Sequence, residues 1–585
     1  MEYFLLIIFS ITLYLISKKI NTLIFKQSNN ILFNIFIFSH FFLIIYLIFS
    51  YLFIFDLNNK IIAYIIIITI FLGSFFTRYE IINLFKKFKF KHIKNNKILS
   101  VTIILYFLIT LFPAYDQDTL RYHLTIAKKI NNNTFYVNTW IDYVVMGAPE
   151  FINSFSLRLN FEKISSYSNF IFLFFIILSN YYILKKYKVG SGILSGFIIL
   201  GSPYLISLLS SQKIFLMPCY IVSYSLAYLY LEKKNLNKKV LYLILSLNIF
   251  CVVTKAIFIP YLALIGLWSL YKIKNYKNRI IFCLFGIAFS IICYAPIYII
   301  NLKIYNDPFL IYFSTNINNF EWFNDYKNFM SSIRLDHTEH MAKNINNEIL
   351  SFLFQIISIP IKLIIPFHFS DISRTLGLGL LFIFFIDYKK NKNIIYLIIL
   401  FAICVIITQS FQSRWFLPLL IFISIFANFS KISYLSKLMI LQTLCVTLVL
   451  IPLAVLSLLA SFNIIDKKII LDRFQNSHLV SEKLNTKYKG QKVFSTLTDY
   501  YNFDHVVPVY YPNYVVRFDK NYYKRNESDT KLILWTEGIF GGVENFVKTN
   551  FVCQKYKKIE EFNYNPRRLY LLKKNIKLNL YKLNC

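Results

Sequence analysis

The chain has 585 residues, 57% of them hydrophobic and 19% aromatic, with a mean hydropathy of +0.53. A soluble globular core cannot hide that much apolar surface, so the composition predicts an integral membrane protein. The formal charge of +34 does not call for nucleic acid, because the lysines gather in short loops between apolar runs, where cytoplasmic loops of membrane proteins carry them.

Apolar stretches of roughly 15 to 25 residues recur from Tyr3 to Phe462, each about long enough to cross a hydrocarbon core of about 30 Å as a helix. Helices satisfy their own backbone groups in lipid, and these stretches lack the alternating pattern of a membrane barrel. The opening "MEYFLLIIFS" has neither a basic region nor a small-residue cleavage site and reads as a retained anchor. Six cysteines (Cys219, Cys251, Cys283, Cys293, Cys404, Cys445) lie in or beside apolar runs without metal-ligand spacing, as packing residues. Whether Cys553 and Cys585 pair depends on the redox state of the compartment that holds the tail.

Basic loops set the threading. Segments 17–26, 85–97, 185–188, 233–239, 271–279, 388–392 and 431–437 are assigned to the cytoplasm. The intervening loops then fall outside, and about thirteen transmembrane helices satisfy the pattern if 350–366, interrupted by Pro360 and Pro366, is a surface or re-entrant segment. The predicted organisation is N-terminal transmembrane helices over 1–113, a first large external loop over 114–165, further helices over 166–301, and a second external loop over 302–348. A re-entrant segment and more helices follow over 349–462, and then a small C-terminal α/β domain over 463–585. The first external loop carries "VMGAPEFINSFSLRL" (Val145 to Leu159), whose apolar spacing suits a helix lying flat on the membrane. In the tail, "KVFSTL", "HVVPVYY", "KLILWT" and "RRLYLLKK" read as strands between turn and helix signals.

The polar stretch "PAYDQDTLRYHLTIAKK" (Pro113 to Lys129) places Asp116 and Asp118 just after the apolar run that ends near Phe112. A carboxylate there stands where a membrane-embedded substrate meets a water-soluble one. Asp118 is equally well placed as an N-cap for the helix that "TLRYHLTIAKKI" predicts. Lys255 interrupts the apolar run from Val240 to Leu270, and an unpaired charge at mid-bilayer costs about 2.5–3.5 kcal/mol on insertion scales, so a helix break or snorkelling is expected there. Arg121, Lys213, Lys255 and Arg414 all fall on the predicted outer side, the arginines offering a planar fork and the lysines a point charge. Glu150 is open to assisting Asp118 or to binding a metal. "DHTEH" (Asp336 to His340) has a spacing open to a divalent metal ion as well as to a solvated loop. Tyr136, Trp140 and Tyr143 suit an interfacial belt or a sugar platform. There is no P-loop, dinucleotide fingerprint or nucleophile elbow.

"DTLRYH" resembles the first-loop motif of the lipid-linked-sugar glycosyltransferases of the GT-C superfamily, in which an aspartate lies four residues before a tyrosine, as Asp118 does before Tyr122. Thr119 stands where the aminoarabinose transferases and protein mannosyltransferases commonly carry an acid; the "YHL" ending is closer to the RgtA/B/C/D-like transferases of bacterial envelope polysaccharides. "APEFI" (Ala148 to Ile152), "GSPYLISLLSSQKIFLMPCYI", "TKAIFIPYL", "APIYIINLKIYNDPF" and "QSRWFLPLL" resemble later landmarks of the superfamily in the same order, with Gln212 or Lys213 at a frequently acidic position. The resemblance covers roughly Phe112 to Leu420. It implies a GT-C-like polytopic fold in a bacterial inner membrane, and a periplasmic site that takes sugar from a polyprenyl-phosphate donor. The acceptor is a glycan, lipid or protein, the other partner is membrane lipid, and nucleic acid plays no part. Asp118 would be the catalytic base, with Asp116, Arg121, Tyr122, His123, Glu150, Lys213, Lys255 and Arg414 binding substrate; no cofactor is required by the pattern, and a divalent metal ion is left open. A lipid-linked glycan flippase or other secondary carrier, or a non-catalytic scaffold, would share the apolar helices, but the paired half-symmetric broken helices of a carrier are not evident.

Overall fold

The computed structural model describes residues 2–25, 30–55, 57, 59–76, 97–114, 119–132, 147–232, 237–305, 350, 357–359, 361–365, 375–386, 393–407, 413–427, 433–466, 478–497, 506–508, 530–536, 543–552, 555–564 and 576–583. The chain is mostly helical and divides into two units.

The first unit comprises Met1–Leu111, Gly147–Ile297 and Ser332–Val455. Its early helices are α1 (Glu2–Ile20), α2 (Ile31–Ile54), α3 (Asn59–Phe76) and α4 (Lys97–Ile109). After the gap that α5 (Leu124–Asn131, in the second unit) occupies come α6 (Ala148–Arg158), α7 (Ile164–Tyr187), α8 (Gly192–Leu200), α9 (Tyr204–Leu209), α10 (Leu216–Leu231), α11 (Lys238–Thr254), α12 (Ile259–Lys272) and α13 (Tyr276–Tyr305). Then α14 (Ile394–Ile407), α15 (Leu417–Phe426) and α16 (Ser433–Ser461) follow. Among the described residues, five helices are long and apolar enough to cross a membrane: Leu6–Phe25, Ile31–Ile54, Ile164–Tyr187, Tyr276–Leu302 and Tyr434–Ser461. Several shorter apolar helices accompany them, the set expected of a membrane-embedded protein.

Burial sorts these helices. Helix α10 is apolar all round and nearly every side chain on it is buried, so it is central, packed by α7, α11 and α15. By contrast α13 leaves Leu284, Ile287 and Ile291 exposed, the side chains of a lipid-facing rim. Between the helices, polar side chains pair with one another: Tyr224 Oη donates to Asn180 Oδ1 at 2.5 Å, Asn180 Nδ2 to Ser424 Oγ at 3.0 Å, and Asn248 Nδ2 to Ser225 Oγ at 3.1 Å. Such bonds hold helices that lipid alone would not drive together.

The second unit comprises Phe112–Met146, Tyr298–Ser331 and Leu456–Cys585. It contains a five-stranded sheet in the order β2-β1-β3-β5-β4, with β1 Lys492–Ser495, β2 Val506–Pro508, β3 Thr530–Thr536, β4 Tyr556–Tyr564 and β5 Ile576–Leu583. The pairs β1–β2 and β1–β3 are parallel, β3–β5 and β4–β5 antiparallel. Strand alternation gives the sheet two apolar faces. One packs Val493, Leu532, Leu534, Leu578 and Leu580 against Val480 and Leu484 of α17 (His478–Lys487). On the other, Trp535 and Phe494 meet Phe546 and Phe551, from α18 (Val543–Asn550) and the residue after it, with ring centres 5.0 and 4.9 Å apart. Of the four runs read as strands, the first three contain β1, β2 and β3, while "RRLYLLKK" lies outside the described residues. The antiparallel pair β4–β5 is rich in charged residues, which hides it from a search for apolar runs.

Candidate functional site

Helix α6 opens on Gly147-Ala148-Pro149-Glu150, with proline in the first turn, where it has no hydrogen bond to lose. The Gly147 N–H donates to Glu150 Oε2 at 2.8 Å, and the Glu150 N–H donates to the Gly147 carbonyl at 3.2 Å, so the carboxylate folds back over its own helix start. Glu150 is only 1% exposed. Burial is the largest influence on its carboxyl and raises its pKa to about 8, against the downward pull of the Lys255 ammonium, its own N–H and that of Gly147.

Gly147 also accounts for what lies beside it. A Cβ there would meet the Val253 carbonyl oxygen at 2.8 Å and that of Thr254 at 3.3 Å, so only glycine lets α6 start against the end of α11. Helix α11 stops at Thr254; Lys255 is extended (φ −161°, ψ 129°), and a 3-10 turn over Ala256–Phe258 leads into α12, which has Pro260 in its first turn. The apolar run from Val240 to Leu270 is therefore broken at its lysine. The Lys255 ammonium lies 5.4 Å from the centre of the Trp415 ring, and the Arg414 guanidinium carbon lies 4.7 Å from the same ring. Arg414 and Trp415 come from the 3-10 turn Ser413–Phe416 that precedes α15. Phe215 packs edge-on against Trp415 at 5.4 Å and fixes the indole. The buried Trp415 Nε1 has no hydrogen-bond acceptor among the described residues.

A polar seam holds the neighbouring turn. Asn169 Oδ1 accepts the N–H groups of Phe215 (3.1 Å) and Leu216 (3.0 Å), capping α10, while its Nδ2 donates to the carbonyls of Lys213 (2.6 Å) and Leu208 (3.3 Å). Asn153 Nδ2 donates to the Gln212 carbonyl at 3.1 Å, and Ser165 Oγ donates to Asn153 Oδ1 at 2.5 Å. Gln212, fully buried, donates through Nε2 to Ser166 Oγ at 3.2 Å. The backbone of Lys213 is thus clamped and its side chain half-buried.

The first unit therefore brings Lys255 and Arg414 to the ring of Trp415, with Glu150 near enough to Lys255 to feel its charge and Lys213 on the clamped turn before α10. Asp116 and Asp118 lie outside the described residues, as do Tyr136, Trp140, Tyr143 and the Asp336 to His340 cluster. Arg121 and Tyr122 are described in backbone only, within a π-type turn over Thr119–His123 whose first residue follows Asp118. His123 is 1% exposed and belongs to the second unit, where Leu120 and Leu124 pack together. Among the described residues no three His, Cys, Asp or Glu side chains gather in a way that would hold a metal ion. Trp415, Gly147, Asn153 and Asn169 were not singled out in the sequence. An asparagine inside the serine-rich start of an apolar helix, "SSYSNF", was the signal for Asn169.

The model of one family, described as the DUF1420 N-terminal domain, matches residues 6–470, which runs from within α1 to beyond α16 and stops short of the sheet. No curated protein and no solved structure matches the chain.

Proposed function

The chain belongs to the family of the DUF1420 N-terminal domain, and from that premise we propose that it is a polytopic inner-membrane glycosyltransferase of GT-C type, taking sugar from a polyprenyl-phosphate donor at the periplasmic face. The observation that carries the reading is the pair of cations, Lys255 and Arg414, set against one indole beside the buried Glu150. A helix broken at a lysine suits a lipid-linked anion, since cationic groups and freed backbone N–H groups meet at membrane depth without an unpaired charge in lipid.

In this reading Asp118 takes the proton of the acceptor hydroxyl as its oxygen bonds to the anomeric carbon. The bond from that carbon to the lipid phosphate breaks with inversion, and the phosphate leaves carrying the negative charge. A well-placed base contributes about 10²–10⁴ in rate. Lys255 and Arg414 offset the charge of the departing phosphate, Arg414 through its planar fork. Arg121, Tyr122, His123 and Lys213 are further groups for binding donor or acceptor. About thirteen spans carry the site, and residues 463–585 form a periplasmic α/β domain that contacts the acceptor.

The test is the envelope glycan profile of a deletion strain by mass spectrometry, complemented with wild type, Asp118→Asn or Lys255→Gln. Loss of one sugar residue that wild type restores and Asp118→Asn does not is the expected result. An unchanged profile in the deletion strain, or full rescue by Asp118→Asn made at wild-type level, would overturn the reading.

A further inference from the structure

The sheet of the second unit concentrates lysine at one of its ends. Its register sets Lys557 of β4 directly across from Lys582 of β5, with Lys582 also across from Leu532, the neighbour of Lys531 in β3. Lys492 opens β1 across from Thr530, and Lys489 lies in the turn between α17 and β1. Lys489, Lys531, Lys557 and Lys582 are exposed. Across the described residues from 478 onward, eleven lysines stand against four glutamates, Glu482, Glu544, Glu560 and Glu561. Three of these glutamates are engaged elsewhere: Glu560 by Lys483 and Lys487, Glu561 by Lys558 (2.6 Å) and Lys577 (3.4 Å), and Glu544 by Lys548 (2.9 Å).

Like charges directly opposite on neighbouring strands repel, and the Lys557–Lys582 pair keeps that cost unless an anion lies over it. Lysines on flexible stems act as hydrated point charges, suited to a diffuse anionic surface more than to one planar ligand. The sheet is also tethered. Only residues 462–477 separate the end of α16, a helix able to span the membrane, from the start of α17, and sixteen residues reach at most roughly 55 Å. A bilayer surface is always within that distance.

We propose that this lysine-bearing end of the sheet is a docking surface for the anionic phospholipid headgroups of the membrane that the chain itself spans. Lys489, Lys531, Lys557 and Lys582 make the contact, each raising occupancy at an anionic surface by about fivefold. The inference does not rest on the transferase reading, since it uses neither Asp118 nor the cations at Trp415.

The test uses the full chain in lipid nanodiscs made of phosphatidylcholine alone or with phosphatidylglycerol, with lysine acylation mapped by mass spectrometry. Phosphatidylglycerol is expected to slow acylation of these four lysines severalfold while leaving Lys548 on α18 unchanged, and salt at a short Debye length is expected to restore labelling. The double variant Lys557→Gln, Lys582→Gln, at exposed positions, is expected to return Lys531 labelling in phosphatidylglycerol to its phosphatidylcholine value. Equal labelling in the two lipids overturns the proposal. So does equal protection by inorganic phosphate in phosphatidylcholine discs, which would mark a free-phosphate site, and so does unchanged Lys531 labelling in the double variant.

Discussion

Lys255 and Arg414 share the ring of Trp415, at 5.4 and 4.7 Å from its centre, although they are 159 residues apart in sequence (414 − 255). Two cations brought this close repel, and an aromatic face between or beneath them lowers that cost through its quadrupole, by about 0.5–2 kcal/mol per contact. Trp415→Phe keeps a ring in place and Trp415→Leu does not. The leucine variant is expected to lose roughly 2- to 30-fold of its glycan output, with the phenylalanine variant closer to wild type, as measured by complementation of the deletion strain with protein levels matched. Equal output from both variants would remove the indole from the site.

Glu150 makes stability depend on pH. Its carboxyl has a pKa raised from 4.5 to about 8 in the folded protein, chiefly by burial, so between those values the folded chain holds a proton that the unfolded chain has released. Stability from this group is complete below 4.5 and is lost as pH rises through about 8. Glu150→Gln mimics the protonated form and keeps an oxygen for the Gly147 N–H. The variant is expected to show a flatter dependence of melting temperature on pH across that window than wild type, read by thermal unfolding in detergent. A wild-type melting temperature that climbs with pH over the same window would contradict the burial of this carboxyl.

Much of this arrangement was legible in the sequence because charges in apolar runs are expensive. Lys255 stands out in "CVVTKAIFIPYL" for that reason alone, and a break at that lysine was one of the two outcomes its cost allowed. Arg414 was visible in "QSRWFLPLL" beside a proline that starts a helix. Their convergence on Trp415 was not, since an aromatic in a membrane chain with 61 phenylalanines and 44 tyrosines carries little information until its neighbours are known. Nor was Gly147. Its role comes from the approach of Val253, a contact between segments 106 residues apart (253 − 147) that no local pattern encodes. The strands β4 and β5 escaped for a different reason, because "YKKIEEFNY" and "IKLNLYKL" mix charges with apolar residues.

The same close approach makes Gly147 a position where one methyl group is felt. In Gly147→Ala the Cβ would lie 2.8 Å from a backbone oxygen, which cannot swing aside as a side chain would, so α6 or the end of α11 must shift. The expected cost is about 1–3 kcal/mol, seen as a lower melting temperature in detergent. Gly266→Ala on α12 is the control, since nothing lies within 4 Å of a Cβ there and alanine favours the helix. A Gly147→Ala protein as stable as the Gly266→Ala protein would show that the two helix ends can separate freely.

Asn169 holds the turn before α10 through both ends of its amide, accepting from two backbone N–H groups and donating to two carbonyls. Replacing it with leucine, close in size but apolar, leaves the Phe215 and Leu216 N–H groups and the Lys213 carbonyl unmatched at about 1–3 kcal/mol for each that finds no new partner, while the Leu208 carbonyl keeps its bonds from Ser211. Asn169→Leu is therefore expected to be among the most destabilising single changes in the first unit. Asn169→Asp, by comparison, keeps the acceptor for the Phe215 and Leu216 N–H groups while losing the donor to Lys213 and Leu208. The aspartate variant should retain the start of α10 but release the backbone of Lys213, so that hydrogen exchange rises over residues 210–213 and stays low over 216–220. Exchange that rises equally across both stretches would mean that the amide acts as a single clamp, with the cap and the turn inseparable.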